Sequence, residues 1–160
     1  MKMRWIVLAL TLSSLASAKM APNFQKELMK GGKVSLQESL KPGRVLLLSF
    51  WATWCTPCIA ELGEIKKHME AHKDFPLDIL AVNVDKAESS SDVAPTVKLY
   101  KFDFPIIQDP NHEIFNRYTD NPALPFSVLI DSKGQIRETF TGFKESMFKR
   151  IQEIANEKKS

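Results

Sequence analysis

Residues 45–58 read VLLLSFWATWCTPC, a nearly continuous apolar run followed at once by two cysteines. The run is short and suits a central strand that is covered on both faces. Apolar residues then recur every three to four positions from Ile59 to Met69, which indicates a helix to about His72. Pro57 is tolerated in the first turn of such a helix. The stretch therefore predicts a strand, a turn that carries the cysteines, and a helix.

Cys55 and Cys58 are the only cysteines of the 160-residue chain. Across the start of a helix, a Cys-x-x-Cys spacing lets the sulfurs reach disulfide distance and leaves the first near unpaired N–H groups. The helix N-terminus carries about half a positive charge, and such motifs lower a thiol pKa from about 8.5 to roughly 3.5–7.5. We expect a redox-active disulfide with Cys55 as the attacking nucleophile, and no other cofactor.

Two other interpretations of the cysteine pair are weaker. A structural zinc site needs four ligands, and the chain has no further cysteine to complete one. His68 and His72 share a helix face, but solvated surface histidines are commoner than metal ligands, so we expect no metal site. A purely structural disulfide would close a very small loop and restrict the unfolded chain little.

The first eighteen residues have the pattern of an export signal. Lys2 and Arg4 are basic, residues 5–15 are largely apolar, and residues 16–18 (Ala-Ser-Ala) match a small-x-small cleavage site. The apolar stretch is shorter than the ~20 residues that span a bilayer, although an uncleaved anchor is the alternative. We expect cleavage near Ala18, a periplasmic or otherwise exported protein, and a single domain at 19–160.

The charge balance gives no indication of a nucleic-acid partner. The chain has 22 basic and 19 acidic residues, and residues 19–160 alone have 20 and 19. No basic stripe with interleaved aromatic residues is present. An exported chain with one cysteine pair also uses no disulfides as scaffolding, which indicates that the pair serves chemistry.

The rest of the chain predicts further strands and helices around one sheet. The expected elements are strands at 77–84, 104–108, 126–130 and 136–141, and helices at 94–101, 113–118 and from about 144. A right-handed crossover makes the strand at 77–84 a parallel neighbour of the first strand. A tight turn at 131–134 makes the last two strands antiparallel.

Two positions outside the cysteine motif are further candidates. At ~100° per residue, Glu61 lies about 60° from Cys58 around the predicted helix, at the border of the apolar stripe. A carboxylate there either handles the proton of Cys58 or is an ordinary surface group. Pro125 stands just before a strand, where a cis bond is sometimes used, but only ~5% of X–Pro bonds are cis. The residues alone leave both questions open.

Several of these features together resemble the TlpA/ResA-like thioredoxin family. They are residues 50–58 (FWATWCTPC), Glu61, the Leu124-Pro125 pair and residues 129–131 (Leu-Ile-Asp). The resemblance covers nearly all of residues 19–160 and extends to an N-terminal hairpin near residues 21–36. It implies an α/β thioredoxin fold: a central mixed sheet flanked by helices, with that hairpin and an inserted helix-strand unit.

The resemblance also implies the roles of individual residues. Members of the family are exported thiol-disulfide oxidoreductases, with a nucleophile at Cys55, a resolving thiol at Cys58, a cis-proline at Pro125 and an acidic residue at Glu61. The residues that we expect to contact substrate are Trp54, Thr56, Pro57 and Leu124.

The chain departs from its relatives at three places. Gly63 stands where many of them have a helix-kinking proline, and Ser49 stands where thioredoxin has a buried aspartate. Residues 119–123 lack the Gly-rich loop of the cytochrome c maturation branch. The loss of the aspartate leaves Glu61, or water, to handle protons.

The leading hypothesis is a monomeric reductase of disulfide-containing proteins, which a membrane thiol-disulfide electron donor reduces again. Pro57 precedes Cys58 as in reducing thioredoxins, whose potentials are about −270 mV, whereas strong oxidants reach about −120 mV. One alternative is an oxidase or isomerase that donates its disulfide. Another is a copper(I)-binding or delivery module on the same fold, because soft thiolates favour copper(I).

Overall fold

The computed structural model describes residues 19–157, and the expected signal at 1–18 lies outside them. The strands are β1 (Gln25–Glu27), β2 (Lys33–Ser35), β3 (Val45–Trp51), β4 (Leu77–Asn83), β5 (Ile106–Gln108), β6 (Phe126–Ile130) and β7 (Ile136–Thr141). The helices are α1 (Leu36–Ser39), α2 (Thr56–Ala71), α3 (Val93–Tyr100), α4 (Phe115–Tyr118) and α5 (Ser146–Asn156), with a 3-10 helix at Ala87–Asp92.

Five strands form the central mixed sheet, in the order β5-β4-β3-β6-β7. The β3–β4 and β4–β5 pairs are parallel, and the β3–β6 and β6–β7 pairs are antiparallel. The predicted parallel neighbours and the C-terminal hairpin are thus confirmed. Every residue of β3 is buried, because the strand has partners on both sides and helices on both faces.

The two faces of the sheet are covered by different helices. Consecutive strand residues point to opposite faces, so Ser49 faces α2 while Phe50 faces α4. The ring centroid of Phe50 lies 5.0 Å from that of Phe115 in α4. Helix α5 lies beside α2, where the ring of Phe148 stacks on His68 with centroids 3.7 Å apart. Helix α2 is therefore held by the sheet below it and by α5 at its side.

The N-terminal segment touches both edge strands of the sheet. At one edge, the Lys19 carbonyl accepts the N–H of Ile136 at the start of β7 (2.8 Å). The chain then continues into the β1–β2 hairpin, and at the other edge Leu28 forms a bridge to Ile107 in β5. Covering strand edges in this way limits pairing with other chains.

Some element bounds differ from the sequence-based prediction for local reasons. Helix α1 was not predicted. A capping box stabilises its N-terminus: Ser35 Oγ accepts the Glu38 N–H (3.2 Å), and the Glu38 carboxylate accepts the Ser35 N–H (3.0 Å). Strand β5 begins at Ile106 rather than 104, after Pro105, which has no N–H for the ladder.

Within residues 19–157, no helix is both long and apolar enough to cross a membrane.

We expect Ile151→Ala in α5 to lower the free energy of unfolding by about 2–5 kcal/mol, because the fully buried side chain leaves a cavity. Urea denaturation of the oxidised protein measures the change. Gln152→Ala, at the exposed neighbouring position, is the matched control and should change stability by less than about 0.5 kcal/mol. Equal losses in both variants would contradict the packing of α5 described above.

Candidate active site

Cys55 and Cys58 form a disulfide at the start of α2, with an S–S distance of 2.08 Å. Cys55 is 5% exposed and Cys58 is 1% exposed. The first sulfur is therefore the one nearer to solvent, as the choice of Cys55 for nucleophile requires. Thr56 and Pro57, which separate the two cysteines, are both exposed at the tip of the helix.

Cys55 is also the N-cap residue of α2. Its Sγ accepts a hydrogen bond from the N–H of Cys58 at 3.3 Å. Pro57 lies in the first turn and has no N–H of its own. A sulfur in this position meets both a backbone donor and the positive end of the helix dipole, so negative charge on Cys55 is stabilised.

The cysteines are preceded by a tight turn. The N–H of Cys55 donates to the carbonyl of Ala52 at 3.1 Å, which leaves Thr53 and Trp54 as the two central residues. Trp54 exposes 68% of its surface, although it directly precedes a buried cysteine. An indole so exposed beside a reactive sulfur is a ready contact surface for another molecule.

Glu61 is buried, so the interpretation of it as a surface glutamate is wrong. It is 1% exposed, and its Oε1 accepts hydrogen bonds from Ser127 Oγ (2.6 Å) and Ser49 Oγ (3.3 Å). Ser49 and Ser127 are opposite each other in the β3–β6 register and both point toward α2. The second oxygen, Oε2, has no hydrogen-bond partner among residues 19–157.

The environment of Glu61 favours its protonated form. Burial raises the pKa of this carboxyl above its ordinary 4.5, and the hydrogen bonds from Ser127 and Ser49 partly oppose that effect. A carboxylate with a raised pKa is a stronger base and is closer to a thiol in proton affinity. Glu61 is one turn of α2 from Cys58, with one oxygen held by the sheet and the other free to carry a proton.

Ser127 was not singled out from the sequence. The sequence feature that could have identified Ser127 is its position as a small polar residue in a strand, FSVLI, that is otherwise entirely apolar. The same signal marks Ser49 in VLLLSFW. Only the β3–β6 register shows that the two hydroxyls meet one carboxyl.

The Leu124–Pro125 peptide bond is cis, as the family resemblance implies. Pro125 directly precedes β6, and Phe126 pairs with Phe50 at the end of β3 that leads to the cysteines. The Pro125 carbonyl accepts the N–H of Gly142 at 2.9 Å. By contrast, the backbone N–H and C=O of Leu124 make no hydrogen bond within residues 19–157. The cysteines and the cis-proline thus share one end of the sheet, where a stretch of backbone is open for pairing.

Residues 19–157 contain no group of three or more His, Cys, Asp or Glu side chains arranged to hold a metal ion. His68 stacks between Phe148 and His72, with ring centroids 3.7 and 4.4 Å away. Burial, and to a smaller extent the neighbouring His72, lowers the pKa of His68. These two histidines therefore contribute to packing at the far end of α2.

Comparison with known proteins relates this site to one family. The AhpC/TSA family profile matches residues 18–141. Thiol-disulfide oxidoreductase ResA of Bacillus cereus is 36% identical over 124 residues, 78% of this chain and 69% of the relative. ResA of Bacillus subtilis is 34% identical over 129 residues, 81% and 69% of the two chains. The crystal structure of StoA from Bacillus subtilis matches with a TM-score of 0.64 and 26% identity, covering 83% of this chain and 96% of StoA. The predicted thioredoxin fold is confirmed.

We expect Glu61→Gln to stabilise the oxidised protein relative to the native chain, and more so at pH 7 than at pH 4. As the pH rises above 4.5, the glutamate of the unfolded chain ionises before the buried one, so the native protein loses stability. The loss amounts to about 1.4 kcal/mol for each pH unit between the two pKa values. Glutamine has no such cost. Urea denaturation at both pH values measures the difference.

Glu64→Gln is the control for that experiment, since it introduces the same amide about one turn further along α2. Glu64 is exposed and paired with Lys67 at 2.6 Å. A pH-dependent gain of the same size in this variant would show that burial of Glu61 is not the cause.

Proposed function

Because this chain belongs to the AhpC/TSA family and, with the ResA proteins, to the TlpA/ResA-like thioredoxins, it is a thiol-disulfide oxidoreductase, and we propose that it acts as a reductase of protein disulfides. The observation that carries the proposed thiol exchange, with Cys55 as the attacking sulfur, is the hydrogen bond from the N–H of Cys58 to Cys55 Sγ at the start of α2. It supports a thiolate on the more accessible of the two sulfurs.

The reducing direction is supported by how little else stabilises that thiolate. Strong disulfide oxidants owe their high potential to a strongly stabilised reduced form. Here the first two turns of α2 carry no basic residue, and the buried Glu61 disfavours further negative charge nearby. Both features keep the reduced pair reactive and the potential low.

The proposed reaction has two exchange steps. The Cys55 thiolate attacks one sulfur of a substrate disulfide, a Cys55–substrate disulfide forms, and the other substrate sulfur leaves as a thiolate. Cys58 then loses its proton and attacks Cys55 Sγ, which forms the Cys55–Cys58 disulfide and releases the second substrate thiolate. Two electrons pass to the substrate, so a dithiol donor must reduce the pair again.

Glu61 is the proposed acceptor of the Cys58 proton. Its Oε2 is free of hydrogen bonds in the described chain, whereas Oε1 is held by Ser127 and Ser49. The raised pKa of Glu61 makes it a better match for a thiol than an ordinary carboxylate. This arrangement replaces the buried strand aspartate of thioredoxin with a glutamate on the helix.

Substrate binding is proposed to use the surface around Cys55, the more accessible of the two cysteines. Trp54, Thr56 and Pro57 are exposed beside Cys55, and the free backbone groups of Leu124 adjoin the cis-proline. An extended peptide that pairs with Leu124 would bring its disulfide to Cys55 with little dependence on side-chain identity. Disulfide-containing proteins as a class are the substrates that the family implies.

Location and partners complete the proposal. We infer that the segment at 1–18 directs export and is cleaved near Ala18, and that the protein works in the periplasm or an equivalent compartment as a monomer. Disulfides persist there, so both clients and a membrane-bound dithiol donor belong to that setting.

The reduction potential of the Cys55–Cys58 pair should lie nearer to about −270 mV than to about −120 mV. Equilibration with dithiothreitol and glutathione buffers, followed by thiol trapping, measures it. A potential at the oxidising end, together with slow reduction of test disulfides, would make the protein an oxidase or isomerase instead.

Cys58→Ser should accumulate a mixed disulfide with protein substrates, because the resolving thiol is missing, whereas Cys55→Ser should form none. Non-reducing gels after incubation with insulin compare the two variants.

In the otherwise native protein, Glu61→Gln should slow the attack of Cys58 on the mixed disulfide by at least about tenfold, while the first attack by Cys55 changes little. Equal rates of resolution in the native chain and Glu61→Gln would remove Glu61 from the mechanism.

A further inference from the structure

A second buried carboxylate, Asp85, lies at the same end of the sheet, just after β4. It is 1% exposed, and no step of the reaction above uses it. Its two oxygens accept four hydrogen bonds, from Thr53 N–H (2.7 Å), Thr53 Oγ1 (2.7 Å), Asn83 Nδ2 (2.7 Å) and Ser89 Oγ (2.9 Å). Hydrogen bonds to an ionised group are stronger than neutral ones.

Two of the four donors belong to the turn that precedes the cysteines. Thr53 gives its backbone N–H to Oδ2 and its hydroxyl to Oδ1, so the carboxylate holds this residue at two atoms. The same turn is closed by the Cys55 N–H on the Ala52 carbonyl. The residue between Thr53 and Cys55 is Trp54, so the backbone N–H groups of the residues on both sides of it are hydrogen-bonded.

The carboxylate is itself firmly held. Asn83 is fully buried, donates to Asp85 through Nδ2 and accepts the Asp85 N–H on Oδ1 at 3.3 Å. The N–H of Val84, between them, donates to the Trp51 carbonyl at 2.8 Å. Asp85 therefore ties the turn to the end of β4, which is fixed to β3 by the parallel ladder.

We propose that Asp85 is a positioning residue that holds the Ala52–Cys55 turn so that Trp54 projects beside Cys55 to receive a protein substrate. The inference rests on the proposed function, in which Trp54 contacts the client. It assigns Asp85 to the recognition of proteins rather than to the chemistry of the sulfurs. A small disulfide needs to reach only Cys55, the more accessible of the two cysteines, whereas a protein must also dock on the surface around it.

Three variants at Asp85 and Thr53 remove different parts of the hydrogen bonding that holds the turn. Asp85→Ala leaves the Thr53 N–H and the Asn83 amide without an acceptor. Asp85→Asn keeps one oxygen for those two donors, and its new NH₂ can donate to the hydroxyls of Thr53 and Ser89, which accept as readily as they donate. Asparagine is thus the conservative variant. Thr53→Val removes only the hydroxyl and provides a milder test if Asp85→Ala does not fold.

The experiment compares two substrates of the reduced full-length chain, insulin and 2-hydroxyethyl disulfide. Asp85→Ala should lower kcat/KM for insulin about tenfold, mainly through KM, and change the rate with the small disulfide less than about twofold. Thr53→Val should also lower kcat/KM for insulin relative to kcat/KM for the small disulfide, but by a smaller factor. Asp85→Asn should restore insulin reduction to within about threefold of the native rate.

A double-mutant cycle with Trp54→Ala tests the route of the effect. If Asp85 acts through Trp54, then Asp85→Ala has no further effect on insulin reduction once Trp54 is alanine. Additive losses, or equal losses for both substrates, would overturn the inference. Unchanged insulin reduction in both Asp85→Ala and Thr53→Val would overturn it as well.

Asp131→Ala is the matched control. Asp131 is also buried (3% exposed) and accepts two backbone N–H groups, from Lys133 (2.8 Å) and Gln135 (3.1 Å), but at the opposite end of β6. It should lower stability and leave the ratio of the two substrates unchanged. The rate of insulin reduction by the native chain, and its change in Trp54→Ala, test the proposed function without any change at Asp85. If the native chain is instead an oxidant, the same ratio is measured for oxidation of reduced insulin chains against dithiothreitol.

Discussion

The complete burial of β3 is the constraint on which the rest of the structure depends. A strand with neighbours on both sides and helices on both faces can leave the sheet only at its end, so the chain must turn at Ala52. The end of β4 and the start of β6 are brought to the same place by their registers with β3. The cysteines, the cis-proline, Glu61 and Asp85 are therefore neighbours by topology, although they come from separate segments of the chain.

Glu61 and Asp85, two of the buried carboxylates at this end of the sheet, differ in how their oxygens are hydrogen-bonded. Asp85 has four donors and no unsatisfied oxygen, which suits a fixed support. Glu61 has donors on one oxygen alone, and burial of the other makes its negative charge costly. A group that gains from accepting a proton is suited to a reaction that releases one. Between these two residues, the number of hydrogen bonds agrees with the roles proposed above, a support for Asp85 and a proton acceptor for Glu61.

The sequence predicted the parts of this arrangement that depend on local pattern. The bounds of β3, β6 and β7 followed from apolar runs and turn residues, and the cysteine spacing indicated the redox pair before any comparison. The contact between Ser127 and Glu61 joins residues 66 positions apart. It depends on the β3–β6 register, which places Ser127 opposite Ser49. Asp85 was also missed, since a single aspartate after a strand reads as an ordinary end signal. Its role depends on a turn that lies 32 residues earlier in the chain.

The N-terminal segment has a consequence for the proposed reduction of protein disulfides, in which a client binds as an extended chain. Such clients present extended chains that add readily to any unpaired strand, and a bare sheet would collect them along its whole length. Here the segment contacts the start of one outer strand and lies along the other. Leu124 remains as open backbone at the sulfurs. On the proposed mechanism, a client therefore forms a short, reversible pairing at the place where exchange occurs and leaves once its own disulfide is reduced.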